Sequence, residues 1–505
     1  MAQKALKLTH KSLLKKGIDH SVPACNRLIL RWPAAEDRAV CPLFQLAVRC
    51  GFFALICLID LAFTGCGDSP EARLRRLIAS KTTGVIQLPA GAIEVSSELP
   101  LANGAHDLQL DGVGTLFKAS RSFRGRAIFV AENARAIRFK NFSIDGNRAR
   151  FDQPMEMAPP ENAYRIFYSH NGILLDRVDG VEISDVDFSA IPSFAVIASR
   201  SSNIRIKNVL VENSGTRNAK GRNNTTGGIL IEEGSSDFEV TDSRFRWIRG
   251  NALWTHSLYT SPRLHDGLFA RNRFEGIGRD AIEVGAASRV RVEENTGNHI
   301  GFPPSDVDFE SLGTPVAMDT AGNVDHSTYA RNRFEEIDGK CIDLDGFHDG
   351  SIIENTCINR GSPLEYPYGH FGIVMNDTDP NMQSQNIEIR GNVIDGTKFG
   401  GLFLIGSGHR VIDNSFVHLN IAKCNENAKQ FGCLYKQDEP EMLESGIYLS
   451  RGVVRMEPVR RNVIRDNRIS GHKMQSRCIA AGPGVRLPDN SIGGNSCEDY
   501  TVEWK

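Results

Sequence analysis

Between residues 82 and 500 the chain is built from short stretches in which apolar and polar residues alternate, and many of these stretches open on an Asn. Examples are Asn141-Phe142-Ser143-Ile144, Asn208-Val209, Asn272-Arg273-Phe274, Asn332-Arg333-Phe334, Asn392-Val393 and Asn414-Ser415-Phe416, with Asn295, Asn355 and Asn467 in the same setting. Alternation with a period of two predicts β-strands. The spacing adds more: Asn272 to Asn295 is 23 residues, Asn332 to Asn355 is 23, and Asn392 to Asn414 is 22. Asp185 precedes Asn208 by 23, so an acid can take the Asn position. A fixed period in this range predicts a solenoid of stacked coils, here about 11–12 of them. Each Asn is expected to stack on the next, its amide bonding along the ladder, a structural role.

A second strand recurs in every coil, as in Gly228-Ile229-Leu230-Ile231, Ala281-Ile282-Glu283-Val284, Ala317-Met318-Asp319-Thr320 and Cys341-Ile342-Asp343-Leu344. With the Ile-like position facing inward, the next residue faces out. The predicted outward column is Leu174, Val196, Leu230, Leu253, Glu283, Asp319, Asp343, Val374, Phe403 and Tyr448. Asp345 and Asn376 lie two residues further along their strands, on the same face.

Some coils are longer: Asn295 to Asn332 and Asn355 to Asn392 are 37 residues each, and Asn414 to Asn467 is 53. The insertions carry Phe302 and Phe309, then Tyr366, Tyr368 and His370, then Phe431 and Tyr435. Loops from one edge of a solenoid form a wall beside a groove, and their aromatics suit sugar rings or shield the core edge. Ahead of the repeats, Ser69-Pro70-Glu71 reads as a helix start, and Leu74, Leu77 and Ile78 form a stripe. A helix over 69–81 is expected to cap the open first coil.

Length and charge change this picture little. The chain has 505 residues, but a solenoid grows without a larger core, so length does not set a domain count. The first 66 residues hold 9 Lys and Arg against 4 Asp and Glu, which leaves 50 against 57, a net −7, in the remainder. A mildly acidic body gives no electrostatic footprint for nucleic acid. Cysteine is more telling. Cys341 and Cys478 each precede an Ile of the second strand, while Cys357 and Cys497 each follow a repeat Asn by two residues. These matching positions predict disulfides Cys341–Cys357 and Cys478–Cys497 between neighbouring coils, with a local Cys424–Cys433, in an oxidising compartment.

The apolar run from Gly51 to Ile59 has the length of a signal-peptide core rather than a membrane span. Phe63-Thr64-Gly65-Cys66 resembles a bacterial lipobox, which implies lipidation of Cys66 after removal of a leader over residues 1–66. The long stretch before the apolar run suggests that the natural start lies further in. The expected protein is exported, lipid-anchored in the bacterial cell envelope and monomeric.

Gly84-Val85-Ile86-Gln87-Leu88-Pro89-Ala90-Gly91 and the Asn-led repeats resemble pectate-lyase-like right-handed parallel β-helix proteins over roughly residues 82–500. The resemblance implies an all-β fold and leaves the chemistry open. Glu283, Asp319 and Asp343 occupy consecutive coils, where carboxylates roughly 5 Å apart repel one another and raise a pKa. Such a column is costly, which marks a functional-site candidate rather than a solvated acidic patch. Asp319 and Asp343 are expected near the spacing of retaining glycosidases, and Glu283 and Asp343, roughly 9–10 Å apart, near the upper limit of inverting ones. Asp345 and His348 join them as candidate catalytic groups, with His348 in proton transfer. Trp254, His256, Tyr366, Tyr368, His370, Asn376, Phe403 and Tyr448 are the candidate sugar contacts.

The column resembles the clustered acids of polygalacturonase-like hydrolases. Their Gly-His-Gly element is missing, and Arg205-Ile206-Lys207 copies their Arg-Ile-Lys element upstream of the acids instead of downstream. Lyases of the same superfamily imply acid-held calcium and an Arg or Lys base, for which Arg279, Lys340 and Lys398 are placed. The expectation is an exported polysaccharide-cleaving enzyme, hydrolase ahead of calcium-dependent uronate lyase. The alternative is a surface β-helix that binds glycan without catalysis.

Overall fold

The computed structural model describes residues 68–500, except 370, 379–381, 425, 427–432, 434–438 and 453–454. The leader with Cys66, His370, Phe431, Tyr435 and the tail 501–505 lie outside the described residues.

All strands pair in parallel and join one continuous winding sheet, a β-helix with three faces. The first face runs through Leu253–His256, the start of Ile282–Glu293, Val316–Asp325, Lys340–Asp345, Ile373–Asn376, Leu402–Leu404 and Ile447–Leu449. The second includes Leu264–Ala270, Thr328–Ala330 and Ser351–Ile353. The third includes Arg244–Ile248, Arg273–Ile277, Thr296–Ile300 and Arg333–Ile337.

Inward residues of the first face follow one another in register from coil to coil. Leu99, Phe129, Ile173, Val196, Ile229, Leu253 and Ile282 are succeeded by Met318, Ile342, Ile373, Leu402, Ile447 and Ile479. Those twelve pairings make thirteen rungs, more than expected, because the first coils lie inside long strands without the Asn spacing. Their side chains form one dry core along the axis. At its open end lies the helix Pro70–Ser80, with Leu74 and Ile78 buried. Leu77, expected in the same stripe, is 42% exposed. Glu71 holds the helix to the first coil through the Ser96 amide at 2.9 Å.

The Asn ladder runs along the turn between the second and third faces. Each Asn backbone N–H and each Nδ2 donates to the Oδ1 of the Asn in the next coil, unbroken from Asn272 through Asn295, Asn332, Asn355, Asn392, Asn414 and Asn467 to Asn495. Asn141 and Asn208 were expected in this ladder and are not. They sit one residue earlier, with φ of 60° and 51°, in the left-handed position that Arg271, Glu294 and Arg331 fill in later coils. Both turn outward, to Asp111 and Asp185. The ladder begins instead at Ser243, whose N–H donates to Asn272.

Cys341 is bonded to Cys357, Cys424 to Cys433, and Cys478 to Cys497. The first and third bridges were expected between neighbouring coils. Each instead joins the first and third faces of a single coil, because the chain passes both positions within 16 and 19 residues. No helix among the described residues is long and apolar enough to cross a membrane.

Candidate functional site

The outward column of the first face is, in register, Val130, Leu174, Ile197, Leu230, Trp254, Glu283, Asp319, Asp343, Val374, Phe403 and Tyr448. Two positions differ from the sequence reading. Val196 and Leu253 face inward, while Ile197 and Trp254 face out. Each lies in an apolar pair, so alternation alone could not choose between neighbours.

Most of this column is covered. Residues 146–170 fold over its early coils, packing Ala158, Tyr164 and Tyr168 onto Val130, Leu174, Ile197, Leu230 and Trp254. Glu232 anchors this flap by accepting the backbone N–H groups of Tyr164 at 2.8 Å and Arg165 at 3.1 Å. Tyr164 stacks on the His256 ring with centroids 4.5 Å apart and meets Trp254 edge-on. Trp254 is therefore buried, and burial lowers the His256 pKa to about 4. Beyond the acids, Phe403 and Tyr448 stack at 6.1 Å and are also buried, with the Tyr448 hydroxyl donating to Glu439. These residues, expected as sugar contacts, pack the first face instead.

Between the two covered stretches stand the acids. Glu283 and Asp343 are buried, and Asp319 between them keeps partial exposure. Asp280, at the turn before the Glu283 strand, lies behind them fully buried. Carboxyl oxygens of Asp280, Glu283 and Asp319 all come within 4.8 Å of one another. Asn251 donates to Glu283, and Arg279 lies 3.1 Å from Asp280. One Asp280 oxygen accepts the Val316 N–H, whereas the other has no hydrogen bond. Burial is the main force pushing Glu283 up to about 8, with Arg279 opposing it and Asp280 adding to it. Asp319 is raised well above the usual carboxylate range by burial and then by Asp280, Asp343 and Glu283.

Asp343 stands apart chemically. It is ion-paired to Lys340 and accepts the Asn376 side-chain amide at 2.8 Å. Asp345, on the same face, accepts the Thr378 N–H at 2.8 Å and its hydroxyl, and burial raises it to about 6. His348 does not join the acids: its ring nitrogens meet Asp349 at 2.7 Å and Asn323 at 3.2 Å. Asp280 is the functional candidate missed in the sequence; its signal was a charged pair, Arg279-Asp280, directly before a strand.

The insertions leave one edge, at the start of the first-face strands, and interlock into a wall. Arg217 pairs with Asp306 at 2.5 Å, Asn218 donates to Asp308 at 2.6 Å, and Phe309 stacks on Tyr368 at 5.3 Å. Tyr368 thus lies in the wall. Tyr366 is buried behind it, donating to Glu336 and accepting the Gly361 N–H. Lys398 reaches the Pro367 carbonyl at 2.9 Å rather than the acids.

The right handed beta helix region family model matches residues 171–301 and 217–418. With the coil architecture, this identifies the fold as a right-handed parallel β-helix of the pectate-lyase-like kind. No curated protein matches the sequence. Among solved structures it resembles the A-module of a mannuronan C-5 epimerase from Azotobacter vinelandii, at 13% identity and TM-score 0.50, over 85% of this chain and 96% of that one. It also resembles the DFA-IIIase of Arthrobacter chlorophenolicus A6, at 12% identity and TM-score 0.46, over 85% and 97%.

Proposed function

We propose that this is an exported enzyme that cleaves a polysaccharide by acid–base catalysis at Glu283, Asp319 and Asp343. The observation that carries the reading is the contrast between two carboxyl groups two coils apart. Glu283 is pushed up to about 8 and holds its proton at neutral pH. Asp343 is ion-paired to Lys340 and accepts the Asn376 side-chain amide. A carboxyl group that keeps its proton near one paired with a cation and an amide suits a division between acid and base. Glu283 would protonate the leaving oxygen and Asp343 would activate water, with rungs near 4.8 Å giving roughly the inverting separation. Asp319, between them, faces the sugar where positive charge develops. The mannuronan epimerase agrees with a glycan substrate only in sharing the fold.

A calcium-dependent uronate lyase is the second reading, favoured by one observation. Asp280, Glu283 and Asp319 present oxygens close enough to share a cation, and the Asp280 oxygen that makes no hydrogen bond faces Arg279 at 3.1 Å. Arg279 and Lys340 stand beside them. The non-catalytic reading rests on the loop aromatics, of which Tyr366 is buried while Phe309 stays 38% exposed. Export agrees with the three disulfides, and anchoring through Cys66 belongs to the same proposal.

The test is a panel of neutral and acidic polysaccharides with wild type and Asp343→Asn, with and without calcium. New reducing ends without ultraviolet absorbance mark the hydrolase, and an unsaturated product marks the lyase. If wild type cleaves nothing, the enzyme reading fails. If Asp343→Asn cleaves as well as wild type, the site is wrong.

A further inference from the structure

The third face carries a second feature that the acid site does not use. Arg244, Arg273, Thr296 and Arg333 succeed one another in register in a single outward column. Neighbouring rungs are about 4.8 Å apart, so Arg244 and Arg273 are directly opposed like charges, which costs stability. The other arginines here are matched: Arg246 with Glu275 at 3.2 Å and Arg333 with Glu335 at 2.5 Å, both pairs beside Arg244 and Arg273, and Arg271 with Asp242 at 2.8 Å. Arg244 and Arg273 have no ion-pair partner among the described residues, and both are exposed.

Thr296 is short, so the column dips between Arg273 and Arg333. The result is an open trench of about 650 Å³, floored by Thr296 and Asn298. Trp247 is the last residue but one of the strand Arg244–Ile248 and is 49% exposed. Its indole lies over Gly276, where a Cβ would come within 2.3 Å of the ring. This half-exposed indole and the unpaired Arg244 lie on the same strand. Guanidinium groups grip carboxylates or sulfates in two-point hydrogen bonds, and an indole face offers a flat apolar surface to a sugar ring.

We propose that this trench is a second glycan-binding surface, separate from the acid column. It takes an acidic polysaccharide whose anionic groups pair with Arg244, Arg273 and Arg333 while one sugar ring rests on Trp247. The third-face strands end at the edge from which the insertions rise. A chain held here would be tethered beside the first face without occupying it.

The test uses the folded full-length chain on immobilised polygalacturonate, dextran sulfate, neutral dextran and single-stranded DNA. Wild type should bind one or both acidic glycans, more weakly as salt rises, and not neutral dextran. The double variant Arg244→Ala/Arg273→Ala should bind about tenfold more weakly and Trp247→Ala several-fold more weakly, with unfolding temperatures unchanged. Asp343→Asn should bind as wild type does, which keeps this outcome distinct from the fate of the catalytic reading. Failure of wild type to bind either acidic glycan overturns the proposal. So does undiminished binding by the double variant or by Trp247→Ala, and so does binding to DNA in preference to both glycans.

Discussion

The Asn ladder and the acid column are the same geometric object with opposite energetics. Both place a buried polar side chain on successive coils at one rung spacing. In the ladder every coil supplies as many acceptors as it receives donors: Asn332 Oδ1 takes both donors of Asn295, and Asn332 donates in turn to Asn355 and to the Val292 carbonyl. The acid column has no such closure. Glu283, Asp319 and Asp280 bring acceptors to acceptors, and the mismatch is met by retained protons, by Arg279 and by Lys340. Repetition in a solenoid therefore stabilises a group able to pair with its own copy and strains one that cannot.

The largest effect that could break this contrast is on activity. Glu283→Gln keeps the size and the Asn251 contact but removes the proton donor. Its turnover on the cleaved polysaccharide should fall about 10²–10⁴-fold, and an unchanged rate would return Glu283 to a structural role. In the ladder the expected change is in stability. Asn332→Leu strands two buried donors of Asn295, each costing about 1–3 kcal/mol. Denaturant unfolding should show a loss of roughly 3 kcal/mol or more, with the pH dependence of activity unchanged.

A smaller effect separates the two columns by pH. Glu283 is raised from 4.5 to about 8 in the fold, so between those values the native state holds a proton that the unfolded chain has released. Stability should then be fullest below about pH 4.5 and fall as pH rises toward 8, by at most about 1.4 kcal/mol per pH unit for this group. Glu283→Gln should flatten that fall, measured by urea midpoints across the range. Calcium that also flattened it in the wild type would favour the lyase reading. The smallest change is of opposite sign to the ladder variant. Asp319→Asn removes one of the repelling carboxyls, and at pH 8 it should stabilise by on the order of 1 kcal/mol. A loss of stability would mean the acids are already neutralised.

How much of this was legible in the sequence depended on where a side chain pointed. The spacing of the Asn residues identifies coils, and Ile282, Met318 and Ile342 are each followed directly by an acid, so Glu283, Asp319 and Asp343 are assigned outward correctly. Val196-Ile197 and Leu253-Trp254 gave no alternation, and there the register slipped by one. Asn141 and Asn208 precede an apolar residue directly, but so does Asn392, which is in the ladder, so the local pattern does not separate the two turn positions. The flap over 146–170 left no repeat signal, because tertiary packing rather than periodicity holds it, so the burial of Trp254 was not foreseen. Arg244, Arg273 and Arg333 are scattered over 90 residues of sequence; they become a row only when coils are stacked.

The disulfides carry a mechanical consequence. Cys478–Cys497 closes the last described coil on itself, as a hoop closes a barrel, and Cys341–Cys357 does the same mid-stack. A solenoid pulled or digested from one end would otherwise peel coil by coil, since each coil is held only by its neighbours. A hooped coil cannot be unwound as a thread; it must detach whole. Peeling toward the acid column from the C-terminal side thus meets one hoop in the last described coil and another at the coil that carries Asp343, before it reaches the rung of Asp319.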